Sequence, residues 1–282
     1  MQKTSSQITI GIPFFNDSRY LDMAIRSVIN QTYQDWALLL VDDGSSDGSL
    51  EIAKKHAEKD SRISVISNGE NKKLPYRLNQ IAQLAKTPYL ARMDADDIMH
   101  PERLEKQLGI LESNQEIDVL GTNAYSIDAN NEIRGVRYKV NKLAELEECS
   151  GFIHPSIVAR TSWFLVNPYD ENLERAQDSE LWQRTQLFSC FYRLNDPLLY
   201  YREVSNGYYK KYKKQLATCL HSVIKRPRIN SIKKLLVVTC KMVIYYIMFV
   251  VGQEEKLIAR RSIFLDKEQL KFSNASLSSA LN

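Results

Sequence analysis

ITIGIPFFNDSRYLDMAIRSVINQTYQDWALLLVDDGSSDGS, residues 8–49, decides the fold. ITIGI (8–12) and WALLLV (36–41) are short, rich in branched residues and bounded by polar turn signals, the pattern of buried strands. Between them, residues 18–31 space their apolar side chains at helical intervals, and Asp17 stands where an N-cap would. The unit then repeats. ISVI (63–66) and PYLARM (88–93) read as two more strands, with helices over 48–60 and 75–86 and Asp47 as the next N-cap. Strands alternating with helices in this order predict a parallel sheet covered on both faces.

Downstream, Pro101 and Glu102 open a fourth helix over 101–113. After it the rhythm changes. IDVLGTNAYSI (117–127), an Asn-Asn turn at 130–131 and EIRGVRYKV (132–140) predict a hairpin, so the sheet becomes mixed. A charged helix over 142–149, a strand near 153–159, a helix near 179–188 and a strand pair over 191–202 follow, and from Tyr208 onward the chain reads as helices only. The expected fold class is therefore α/β, a Rossmann-like, mostly parallel mixed sheet flanked by helices, with a C-terminal helical extension. Three parts are expected: a ligand-binding half over 1–113, a second half over 114–207, and a basic and apolar extension over 208–282.

With 282 residues, 44% hydrophobic and 26% charged, the chain can bury a sizeable core, and it resembles neither a disordered nor a polytopic membrane protein. Cys149, Cys190, Cys219 and Cys240 form no CxxC pair, and there are four histidines in all, which disfavours structural zinc. A catalytic metal must then be held by carboxylates, which selects a hard cation, magnesium or manganese. The net charge of +4 is uneven: residues 204–253 hold ten Lys/Arg and no Asp or Glu. Such a block fits an anionic surface. LLVVTCKMVIYYIMFVV (235–251), interrupted by Lys241, is short for a membrane span. Lys225, Arg226, Arg228, Lys233 and Lys234 before it, and Lys256, Arg260 and Arg261 after it, frame a helix suited to the headgroup layer. Burial against the main domain is the competing expectation. The N-terminus shows no signal-peptide pattern, so a cytoplasmic protein, peripheral at the inner face of the cell membrane, is expected. No nucleic-acid motif accompanies the basic block, and no nucleic-acid partner is expected.

Acidic residues gather where strands end: Asp42 and Asp43 after the second, Asp94, Asp96 and Asp97 after the fourth. Ligands of open parallel sheets bind beyond the carboxyl ends of the strands, which places both clusters at one crevice. One Asp after a strand is ordinarily a turn residue or cap. Five in two clusters at the same edge call for a cation.

IPFFN (12–16), VDDGSSDGS (41–49), Asn71 with Leu78-Asn79, and MDADDIMHPERLEKQ (93–107) resemble the nucleotide-sugar-binding half of the family 2 glycosyltransferases, which have the GT-A fold. AQDSELWQR (176–184) is similar to the segment that supplies the catalytic base in inverting members. The resemblance covers residues 7 to 203. It implies that Asp94-Ala95-Asp96 is the DxD motif, with Asp96 ligating the metal, Asp94 contacting the ribose or a metal-bound water, and Asp97 a second ligand. It implies that Asp43, beside Asp42, reads a ring N–H of uracil. Pro13, Phe14 and Phe15, followed by Asn16, would wall the base pocket. It implies that Asp178 is the general base that takes the acceptor hydroxyl's proton, with Glu180 as runner-up. Lys73 departs from the pattern, standing where family members commonly have glycine, and Lys72 or Lys73 would instead reach the diphosphate.

His154 is expected to be a hydrogen-bonded core residue, Trp182 a packing residue, and YYKKYKK (208–214) either a solvated face or a grip for diphosphate or lipid. The expected activity is inverting transfer from a nucleoside diphosphate sugar to a saccharide or lipid-linked saccharide in surface polysaccharide synthesis. A nucleotidyltransferase is the alternative enzyme, although FFNDSR lacks the glycine- and basic-rich loop it normally carries. A non-catalytic magnesium-binding module is the third possibility, and it leaves AQDSELW and the basic tail without a purpose.

Overall fold

The computed structural model describes residues 6–139, 142–173, 175–203, 208–225 and 229–282. Its first part follows the alternation expected: β1 (Ile8–Phe14), α1 (Leu21–Ile29), β2 (Trp36–Asp42), α2 (Ser49–Ala57), β3 (Ile63–Ile66), α3 (Leu74–Leu84) and β4 (Tyr89–Arg92). β1 pairs in parallel with β2 and β4, and β2 with β3. Ile8, Ile10, Ile12, Leu38 and Leu40 are fully buried with Leu21, Ala24, Ile25 and Val28 of α1. On the other face α3 supplies Leu78, Ile81 and Ala82. Its approach needs Gly11, where a Cβ would lie 2.3 Å from Ile81 Cγ2.

Next come the two-residue β5 (Ile98–Met99), α4 (Arg103–Ser113), β6 (Val119–Ile127), β7 (Ile133–Val136), β8 (Leu146–Glu148), a 3-10 turn at His154–Ser156, β9 (Val158–Arg160), α5 (Thr161–Val166), α6 (Gln177–Thr185) and β10 (Phe191–Arg202). The sheet order is β3-β2-β1-β4-β9-β6-β10-β5, with β7 on β6 and β8 on β10. β9 lies antiparallel between β4 and β6, and so makes the sheet mixed. The hairpin β6–β7 turns at Asn130–Asn131, with Asn131 at φ 69°.

Three expectations fail for identifiable reasons. Residues 142–149 do not form a helix: Ala144 at φ 56° breaks one, and Glu147 is drawn to Arg193 and Asn195 across the β8–β10 ladder. Residues 191–202 are one strand rather than a pair. Pro197, which has no N–H, sits at a register shift against β6 and lets the strand continue. Neither Asp17 nor Asp47 occupies an N-cap, since Tyr20 and Gly48 do. Asp47 still accepts from the Ser49 N–H at 3.1 Å and the Ser18 N–H at 2.9 Å, joining two loops.

α7 (Tyr208–Lys225), α8 (Ile229–Val250), α9 (Glu254–Ala259) and α10 (Lys267–Leu281) complete the chain. α10 returns to the sheet, where Ser273 accepts from the Tyr200 hydroxyl at 3.0 Å and Ala280 from the Asn30 amide at 3.0 Å. Among the described residues no helix is long and apolar enough to cross a membrane. Arg226 and Arg228, two of the cations noted before α8, lie outside the described residues.

Candidate active site

Three loops leave the carboxyl ends of β1, β2 and β4, and hydrogen bonds knit them together. The Asp43 N–H donates to Phe14 O at 2.9 Å, the Asn16 N–H to Ser45 Oγ at 3.1 Å, and the Ser46 N–H to Asn16 Oδ1 at 2.8 Å. The Met93 N–H donates to Gly11 O at 3.1 Å, which fixes the third loop, 93–97, against the first.

In that third loop Asp94, Asp96 and Asp97 each present a carboxylate oxygen, all within 4.8 Å of one another. Burial, then Asp94 and Asp17, push the Asp96 carboxyl up to about 7. Burial and the Asp96 and Asp94 charges hold Asp97 well above the usual carboxylate range. Asp17 belongs to the same group: burial first, and then Asp94 and Asp47, push it up to about 6. Two arginines balance part of the charge. Arg92 grips Asp94 with both terminal nitrogens, one at 3.1 Å, while Arg202 donates its N–H to Asp97 Oδ1 at 2.8 Å and its Nε to Asp96 O at 2.6 Å. Asp97 Oδ2 is buried with no hydrogen-bond partner among the described residues. Clustered oxygens, raised proton affinities and an orphaned buried acceptor fit a hard divalent cation.

The second loop is built differently. Asp42, 1% exposed, accepts from the Ser45 N–H at 2.9 Å and from Ser67 Oγ at 2.7 Å, so it closes the turn. Asp43 accepts from the N–H groups of Lys72 at 2.7 Å and Lys73 at 3.1 Å and from Arg77 Nε at 2.8 Å. Its carboxylate thus anchors the 70–77 segment. Lys73 stands at φ 72°, ψ 161°, backbone that glycine adopts and lysine resists. At the first loop Pro13 and Phe14 are buried, Phe14 in the main core, whereas Phe15 is 46% exposed and Asn16 is open to solvent. Of the aromatic pair, Phe15 offers the accessible ring.

Asp178 sits in the first turn of α6 and lines a cavity of about 590 Å³ with Tyr138, Glu148, Trp182 and Arg193. It is no N-cap, because Ala176, at φ 60°, starts the helix before it. Glu180 is paired with Arg184 Nε at 2.8 Å and does not line that cavity. Asn79 holds the chain leading to α6: it donates to Tyr169 O at 3.0 Å and to Glu171 Oε1 at 2.9 Å, and accepts from the Tyr169 N–H at 2.9 Å. Tyr169 links the two acidic regions. Burial raises its phenol, Arg92 opposes, and both Asp178 and Asp94 raise it further. Its hydroxyl lies 2.8 Å from His154 Nε2, and burial followed by Arg92 keeps this imidazole neutral. His154 and Trp182 are packing residues, the latter stacked on Trp163 with centroids 6.3 Å apart.

Residues 9–169 match the family described as Glycosyl transferase family 2. The chain belongs to that family. It is 34% identical to EpsE of Bacillus subtilis over 184 residues, 63% of this chain and 66% of that protein. It is 32% identical to the O-antigen biosynthesis glycosyltransferase WbnJ of Escherichia coli over 174 residues, 59% of this chain and 66% of that protein. The alignments thus span about two thirds of either relative. The crystal structure of S. aureus TarS 1-349 in complex with UDP-GlcNAc superposes with a TM-score of 0.59 at 13% identity, covering 97% of this chain and 89% of that one. The fold of this family 2 chain is therefore GT-A, with helices added at its C-terminus.

Asp17, Arg92 and Arg202 were not among the residues singled out from sequence. Asp17 read as a cap and Arg92, two residues before Asp94, as a strand residue, whereas Arg202 reaches Asp96 and Asp97 from more than 100 residues away.

Proposed function

We propose that this family 2 glycosyltransferase moves a sugar from a uridine diphosphate sugar to a saccharide or lipid-linked saccharide acceptor, with inversion, in the assembly of a surface polysaccharide. The observation that carries the reading is the convergence of the Asp94, Asp96 and Asp97 oxygens around an unpartnered buried acceptor at the carboxyl edge of the sheet. Kinship to WbnJ supports the polysaccharide setting, and the fold shared with TarS, whose structures hold UDP and UDP-GlcNAc, supports the donor class.

In this reading Asp94, Asp96 and Asp97 hold magnesium or manganese, the Ala95 backbone passes beside the donor, and Arg92 and Arg202 fix the carboxylates. A divalent cation there supplies charge neutralisation for the departing diphosphate. Phe15 and Asn16 flank the base, and Asp43, its other acceptor positions filled by the 70–77 segment, offers one more to a ring N–H. Lys73 lies on the diphosphate side. The acceptor occupies the cavity beside Asp178, whose carboxylate takes the hydroxyl proton as the bond to the anomeric carbon forms. The division at 113/114 separates the donor-binding half from the acceptor-binding half, and residues 204–261 bring the enzyme to an anionic membrane as a peripheral protein of its cytoplasmic face.

Incubating the protein with a panel of nucleoside diphosphate sugars and manganese tests this reading. Release of UDP from one uridine donor, abolished by chelator, is expected. Failure to bind any nucleotide under these conditions contradicts it.

A further inference from the structure

The inner faces of α7 and α8 are already committed. Tyr208 stacks on Tyr245 with centroids 5.4 Å apart, Tyr212 meets Tyr245 at 5.1 Å, and Ile258 is fully buried with them. Glu203, 1% exposed, ties this layer to the sheet, pairing with Arg137 at 2.6 Å and Arg261 at 2.9 Å. These contacts hold the hairpin, so its outer face is not waiting to fold onto the rest of the molecule.

That outer face is apolar. Ile232, Leu236, Val243, Ile247 and Val250 recur at helical spacing along one stripe of α8 and are 45–64% exposed. The stripe is about 27 Å long at the helical rise per residue. Monomers rarely leave so continuous an apolar surface in water. Lys233 and Lys241, both exposed, stand on the same helix. A second copy would set two segments of ten Lys/Arg and no acid against each other, whereas an anionic bilayer neutralises that charge and accepts the apolar stripe. No described helix is apolar and long enough to span, which leaves the helix in the interface.

We propose that the outer face of α8 is a docking surface for an anionic lipid bilayer, lying in the headgroup layer with Ile232, Leu236, Val243, Ile247 and Val250 toward the acyl chains. The proposal rests on the membrane placement stated above and names the surface and the lipid chemistry that produce it.

Flotation of the full-length chain with phosphatidylcholine vesicles, with and without phosphatidylglycerol, tests it. Wild type is expected to float with the anionic vesicles and to lose at least about tenfold in affinity as salt rises through the physiological range. Leu236→Glu with Ile247→Glu, both at exposed positions, is expected to cost more than about tenfold, with thermal midpoint and nucleotide binding unchanged. Equal flotation of the double variant, equal flotation with neutral vesicles, or a wild-type dimer that the variant dissociates without any vesicle binding would each overturn the proposal. Nucleotide binding on the same samples separates the two readings. Intact binding of a uridine donor without flotation removes the docking surface alone, and flotation without any nucleotide binding removes the transferase alone.

Discussion

Burial and the neighbouring carboxylates raise the proton affinity of Asp96 and Asp97, while Arg202 and Arg92 oppose the rise. Asp96→Ala removes a proposed ligand, and manganese affinity, read by calorimetry, should fall by about 10–100-fold. Unchanged affinity would contradict the ligand assignment. Asp43 makes a different prediction. Arg77 is fully buried against it, with further acceptors on Asn68, Glu70 and Gln80. Asp43→Ala leaves that guanidinium without its counter-charge and should cost about 3 kcal/mol in denaturant unfolding. The cluster of Asp94, Asp96 and Asp97 was legible because its members are neighbours in sequence. The part Asp43 plays as anchor of the 70–77 segment was not, because its three donors lie 29 to 34 residues away.

At the scale of elements, the strained start of α3 gives a signed prediction. Lys73 holds a conformation that costs a side-chain-bearing residue about 1–3 kcal/mol, while a glycine gains roughly 0.4–1 kcal/mol of freedom when unfolded. Lys73→Gly should therefore stabilise the fold by about 1 kcal/mol, seen as a higher denaturant midpoint. A lower midpoint would mean that the lysine side chain stabilises more than its backbone costs. The elements with strong periodicity, β1 to β4 with their helices and α4, could be read directly. β8 and the 3-10 turn could not, since Glu147 and Ser156 are placed by partners on β10 and β6 rather than by any local pattern. β5, with two residues, carries no period at all.

At the scale of the molecule, the parallel half was legible from the alternation of strand and helix. The placing of β9 between β4 and β6 was not, because it depends on pairings such as Tyr89↔Arg160 and Val119↔Ala159. The closing of the fold by α10 likewise rests on Tyr200 and Asn30. Acid stability reports on this assembled core. Burial holds His100 down to about 4, and its Nδ1 accepts from the Glu102 N–H. The unfolded chain binds that proton near pH 6.5 and the folded chain does not, so the stabilisation is complete above pH 6.5 and falls as pH drops toward 4. Relative to His100→Asn, wild type should lose roughly 1 kcal/mol per pH unit across that window, and a flat difference would contradict the neutral buried imidazole. The central claim is that one edge of this sheet joins a metal-dependent donor site to a general base on α6. Asp178→Asn tests it most directly, with donor affinity by calorimetry and sugar transfer by product formation measured on the same preparation. Donor binding should stay within a few-fold of wild type while turnover falls by about 10²–10⁴-fold. Transfer within a few-fold of wild type by a folded, donor-binding variant would contradict it.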